Sequence, residues 1–262
     1  MSPLTGVSSS GPLIGVSSSS LPHASAAELL RAATAIDAQC VDLRAGRGQG
    51  WEPHLDLIAR TLPVSFVGAG ATLGTGVDPD PVPPAVMRVL LQRGIPLRLF
   101  VAPLADPAEV RRFGADVDRL RDTWGPGLRL IVEPHTEAPT LAVLDEVLAR
   151  HGVGAVVDTL ALVRLRASIA EARGFLLRHA VAVQVKGLVR RDDGYRHVGL
   201  GAAPALTAWT AALLDGTSLP VTVETKAGTA AQDIRTLRRV LAAGGPSSTP
   251  VSPEVAACVP VS

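Results

Sequence analysis

Only two cysteines occur in 262 residues, Cys40 and Cys258, and the second lies in a Pro/Ser-rich tail. A structural disulfide is not expected from such a pair, which agrees with a reducing cytosol. Aromatic residues make up 3 % of the chain, so Leu, Val and Ala must fill the core that a 47 % apolar content calls for. No apolar run approaches the roughly 20 residues that a membrane helix needs. Residues 1–24 place no Lys or Arg ahead of the first apolar run, which argues against a secretory signal. Neither sign of charge dominates: 25 Lys and Arg balance 24 Asp and Glu, and no basic cluster is interleaved with aromatics. Nucleic acid and membrane are therefore not expected as partners, and the cytoplasm is the expected compartment. No G-x-G-x-x-G follows the first strand, which weakens an open nucleotide-binding sheet.

What the chain does have is a repeated apolar run that stops at a polar residue. Four such runs read IVEPH at 131–135, AVVDT at 155–159, VAVQVK at 181–186 and PVTVET at 220–225. Each precedes a stretch of helical pattern, so the polar residues stand where strands end and loops begin. Side chains alternate between the two faces of a strand. Val181, Val183 and Val185 therefore share one face, and Gln184 and Lys186 the other. By the same parity Thr222 and Glu224 oppose Val221 and Val223, Glu133 opposes Val132, and Asp158 opposes Val157. If helices cover the apolar faces, Glu133, Asp158, Gln184, Lys186, Thr222 and Glu224 point toward a common axis.

The same alternation runs through the whole chain. Expected strands are 12–18, 41–44, 64–67, 97–101, 129–133, 155–158, 181–186 and 221–224. Helices are expected over 25–38, where Ser25 and Glu28 form a capping-box signature, then 52–60, 84–92, 107–123, 140–150, 162–178, 204–214 and 230–242. Two long loops stand out, the glycine-rich GAGATLGTGVDPDPVPP after the third strand and KGLVRRDDGYRHVGLGAAP after the seventh. Loops of that length are often functional lids. Eight strand–helix units imply an α/β fold with a parallel sheet closed into a single-domain (β/α)8 TIM barrel, whose active site lies at the C-terminal ends of the strands. The barrel is expected over residues 12–244, between a loose lead-in of residues 1–11 and a flexible tail of 245–262.

The residues that close these strands resemble the xylose isomerase-like TIM barrels, a family that includes sugar-phosphate isomerases and epimerases, ketose 3-epimerases and endonuclease IV. The resemblance runs from the VDLR of 41–44 to the VET of 223–225. It rests on the E-x-H of Glu133 and His135, Asp158, the Lys186 of an H-x-K-D written here as Gln184, Val185, Lys186 and Gly187, the G-x-G of Gly199 and Gly201, and Glu224. It implies one divalent cation held by Glu133, Asp158, Gln184 and Glu224, with Glu133 and Glu224 as the acid/base pair. The chain departs from the pattern in two places: Gln184 replaces the usual histidine, and the D-x-x-H that begins at Asp158 ends in Ala161. An oxygen-only donor set suits Mn²⁺ or Mg²⁺ better than Zn²⁺. With few histidines, the multi-zinc endonuclease branch is disfavoured.

The chemistry implied is removal and return of a proton at a carbon next to a carbonyl in a small sugar-like substrate, with a cation stabilising the enediolate charge. The plainer alternative makes Glu133 and Glu224 strand-end carboxylates bonded to arginines. Lys186, His135, Arg44, Lys226, Arg196 and His197 are substrate-binding candidates. Against them stand a rim lysine reaching solvent for Lys226, an internal salt bridge for Arg44 and a solvated charged loop for Arg196 and His197. Two further functions stay open: a metal-assisted hydrolase or lyase acting on a carbohydrate-like metabolite, and a barrel without metal that only binds a ligand. Oligomeric state stays open too, a homodimer included.

Overall fold

The computed structural model describes residues 11–243, apart from 22, 47, 135–139 and 193. The expected lead-in and tail, Cys258 and His135 thus fall wholly or almost wholly outside the described residues. Eight parallel strands close into a barrel in the order β1 (Ile14–Ser17), β10 (Val221–Val223), β7 (Ala180–Val185), β6 (Gly154–Asp158), β5 (Leu130–Pro134), β4 (Leu97–Val101), β3 (Val64–Leu73) and β2 (Val41–Arg44). The helices that return the chain between strands are α1 (Ala26–Ala35), α2 (Leu55–Thr61), α3 (Pro84–Arg93), α4 (Pro107–Trp124), α5 (Leu141–His151), α6 (Thr159–Arg164), α7 (Ile169–His179), α8 (Pro204–Leu214) and α9 (Ala230–Ala242). Their ends follow local chemistry. Ser25 and Glu28 make the expected capping box on α1, Asp106 caps α4 ahead of Pro107, and Gly94 and Gly152 close α3 and α5 in left-handed conformation.

Strand parity sorts the core into two compartments. Val132, Val157, Val183, Val185, Val221 and Val223 pack outward with the helices in the main cluster. Phe66, Ile131, Val156 and Ala182 form a separate cluster inside the barrel. Because Glu133, Asp158 and Gln184 lie two residues beyond Ile131, Val156 and Ala182, they share that inner face one step closer to the mouth. Val181 departs from its expected outward place. The ladder pairs Ala155 with Ala180 and then Val156 with Ala182, so Val181 is the extra residue of a bulge and packs against the interior cluster.

Three other segments differ from the sequence reading. The third strand does not stop at Val67 but continues to Leu73, into the glycine-rich stretch. The turn beyond it is pinned by buried Asp116, which accepts hydrogen bonds from the backbone N–H groups of Gly74 (2.8 Å), Gly76 (3.0 Å) and Val77 (3.0 Å). This loop is anchored to α4 and does not line the main cavity at the mouth. The expected single helix of 162–178 is two helices, broken where Arg166 takes φ 54° and Ser168 starts α7 with a second capping box to Glu171. The loop after the seventh barrel strand contains an antiparallel hairpin, β8 (Leu188–Arg191) and β9 (Gly194–His197). Gly187 allows it to fold back, since a Cβ there would stand 2.3 Å from the Val198 carbonyl oxygen.

Candidate active site

A cavity of about 360 Å³ opens at the C-terminal ends of the strands. Its floor carries Glu133 from β5, Asp158 from β6, Lys186 just beyond β7 and Glu224 just beyond β10, with Arg98 and Phe100 from β4 on one side. The inner faces of a closed barrel share one axis, so inward parity together with strand register gathers these groups from positions as far apart as 98 and 224.

Lys186 is the centre of this arrangement. Its Nζ donates a hydrogen bond to Asp158 Oδ2 and stands 3.3 Å from Glu224 Oε2 and 3.8 Å from Glu133 Oε1. The backbone beneath it is fixed, because the Lys186 N–H donates to Thr159 Oγ1 at 2.9 Å. Burial favours the neutral amine, but the three carboxylates, Asp158 foremost, outweigh it and hold the ammonium well above the usual lysine range. Burial also works against ionising Asp158; here the Lys186 charge prevails and holds the carboxyl below its ordinary value. Asp158 Oδ1 meanwhile accepts from the Leu160 N–H and caps α6.

Glu133 is poised differently. Burial raises its carboxyl to about 7, opposed by the Arg98 and Lys186 charges and assisted by the neighbouring Asp158. Arg98 Nε lies 3.1 Å from Glu133 Oε2, and the guanidinium is further held by the Ala69 carbonyl (3.1 Å) and by stacking 4.4 Å over the Phe100 ring. The bare glycine at 68 makes room for it: a Cβ there would come within 2.3 Å of the guanidinium. The plainer alternative of a carboxylate bonded to arginine thus holds for Glu133, but the pair lies in the cavity wall, not on a surface.

One layer below, Gln184 takes a different place from the one expected of a metal ligand. Its Nε2 donates to Asp42 Oδ2 at 3.3 Å, its Oε1 has no hydrogen-bond partner among the described residues, and it does not line the cavity. Asp42 also accepts from Ser17 Oγ at 2.7 Å and from Thr222 Oγ1. Register explains this layer, since Ser17 pairs with Asp42, and Thr222 and Asp158 both pair with Gln184.

The remaining candidates divide by position. Arg44, Lys226 and His197 line the cavity, whereas Arg196 is exposed on β9 outside it. Arg44 and Lys226 form no ion pair with any described residue, and they also border a second cavity of about 380 Å³ with Ser18, Ser19 and Gly48–Gly50. Burial, and then Lys226, keep the His197 imidazole below its usual range, and its Nδ1 finds no partner among the described residues. Sequence reasoning missed Arg98, Phe100 and Arg164. Arg98 carried a usable signal, a charged residue at the inward parity of LRLFV. Arg164 had none until α6 was seen to end there.

The expected cation site fits these residues poorly. Oxygen ligands of a divalent ion sit roughly 2.0–2.6 Å from it, and the Lys186 nitrogen already stands among the three carboxylates. Among the described residues no group of three His, Cys, Asp or Glu is arranged to hold a metal ion.

No family model matches the sequence, and no curated protein matches it. Solved structures do. A xylose isomerase domain containing protein from Salmonella typhimurium superposes with TM-score 0.63 at 13 % identity, covering 88 % of this chain and 96 % of that one. An IolI protein described with a bound zinc atom gives 0.62 at 14 %, covering 88 % and 99 %. An L-ribulose 3-epimerase gives 0.61 at 13 %, covering 91 % and 100 %. At such identity the likeness is one of fold. The chain has the fold of the xylose isomerase-like TIM barrels.

Proposed function

We propose that this protein is a sugar or sugar-phosphate isomerase or epimerase, in which Glu133 and Glu224 move a proton at a carbon next to a carbonyl. The observation that carries the reading is that two glutamates from different strand ends, Glu133 and Glu224, both reach one ammonium nitrogen, 3.8 and 3.3 Å away, on the floor of one cavity. A small molecule above that floor can touch both. Glu133, with its carboxyl raised to about 7 by burial, can either give or take a proton at neutral pH. As a proton leaves carbon, negative charge gathers on the carbonyl oxygen; the Lys186 ammonium and the Arg98 guanidinium are placed to stabilise it. Arg44, Lys226 and His197 also line the cavity, which supports a role for them in holding the hydroxyls or phosphate of the substrate. Sugar epimerases among the structural neighbours support the reaction class.

The divalent cation implied by the resemblance takes no step in this mechanism. A lysine on the floor also disfavours the metal-assisted hydrolase or lyase, and leaves a ligand-binding barrel as the main alternative. Proton exchange separates these. Incubated in D₂O with a panel of free and phosphorylated ketoses, the wild type is expected to place deuterium on the carbon beside the carbonyl of its substrate, read by NMR. E133Q and E224Q should each slow this exchange by about 10²–10⁴-fold. Exchange untouched by both substitutions would overturn the mechanism.

A further inference from the structure

We propose that this barrel mouth does not take up a divalent cation and instead presents the Lys186 ammonium to the substrate. Three observations carry this. The Lys186 nitrogen contacts Asp158 and stands within 3.3 Å of Glu224 and 3.8 Å of Glu133, the same three carboxylates that a metal would need. It is buried at 6 % exposure and its backbone is tied to Thr159, so the ammonium belongs to the interior. The fourth expected ligand, Gln184, gives its amide nitrogen to Asp42 and lies beneath the cavity, which leaves one neutral oxygen without a partner. One such oxygen does not hold a hard divalent ion.

Charge gives the same answer. Lys186 and Arg98, both set against Glu133, bring two positive charges to three carboxylates, as one divalent ion would. Adding such an ion to the present set would place it against a buried ammonium and a buried guanidinium, where like charges repel strongly. The Lys186 nitrogen stands among these three carboxylates, which favours its use as a cation over use as an amine nucleophile. Its catalytic meaning rests on the proton-transfer reading above, but the absence of metal uptake does not.

Mn²⁺ titration tests the proposal, followed by calorimetry and by the electron paramagnetic resonance of the free ion. The wild type should show no saturable site up to about 1 mM. K186Q, which frees three carboxylates, should gain one, binding Mn²⁺ at least about tenfold more tightly than the wild type. One Mn²⁺ bound by the wild type below about 100 μM would overturn the proposal, as would a folded K186Q that gains no site. Should K186Q fail to fold, K186M, which keeps all three carboxylates, is read by the same criterion. The proton-exchange assay contains no metal, so the two proposals fail separately.

Discussion

Asp42 lies on the inner face of the barrel with three side-chain donors around it, Ser17, Thr222 and Gln184, and no ion-pair partner among the described residues. Burial raises its carboxyl from 3.8 to about 6, and the hydrogen bonds only partly offset this. Because the folded state binds this proton more tightly than the unfolded chain, the stabilising contribution is complete below about 4 and is lost as pH rises through about 6. A shift of this size corresponds to about 3 kcal/mol. D42N removes the buried charge, and Gln184 can turn its unpartnered Oε1 toward the new amide. Urea unfolding at intervals between pH 4 and 8 should therefore show D42N gaining on the wild type as pH rises. A constant difference across that range would contradict the account. In the sequence Asp42 is only the acidic residue of VDLR; its neighbours Ser17, Gln184 and Thr222 come from three other strands.

At the scale of elements, the break between α6 and α7 shows both what sequence carries and how it is missed. Residues 162–178 keep an apolar periodicity that reads as one helix. Yet Ser168 and Glu171 repeat the spacing of Ser25 and Glu28: Ser168 Oγ accepts from the Glu171 N–H (3.2 Å), and Glu171 Oε2 accepts from the Ser168 N–H (2.8 Å). The signal was legible and the periodicity masked it. The break matters for the site, because α6 ends at Arg164 and puts that side chain on the cavity. S168A should cost about 1 kcal/mol in chemical denaturation. No change would mean that packing alone starts α7. The extension of β3 to Leu73 had no local signal, because glycine-rich sequence reads as loop until neighbouring β4 supplies hydrogen-bond partners.

At the scale of the whole molecule, closure depends on β1, which pairs with β10 on one side and β2 on the other. Gly15 lies at that seam, where a Cβ would stand 1.8 Å from the Cys40 carbonyl oxygen and 2.7 Å from its Sγ. The same Cys40 sulfur donates toward the Leu13 and Val221 carbonyls across the seam. Since the obstructing atom is backbone, no rotamer change relieves the clash, and G15A should destabilise the fold by about 3 kcal/mol or more. G70A on β3, where a Cβ meets nothing within 4 Å, should stay within about 0.5 kcal/mol of the wild type. Equal unfolding midpoints for the two variants would show that the seam tolerates the added carbon.

The sequence by itself determined the eight alternating units, the parity of their strands and the acidic residues that end three of them. These follow from periodicity, which is local and repeats along the chain. Only the tertiary structure decided that Lys186 stands among Glu133, Asp158 and Glu224, that Arg98 pairs with Glu133, and that Gln184 serves Asp42 rather than the cavity. The reason is physical. Parity says which way a side chain points, but which charge it meets depends on the register between strands and on the length of the side chain. Neither is written in any single stretch of the chain.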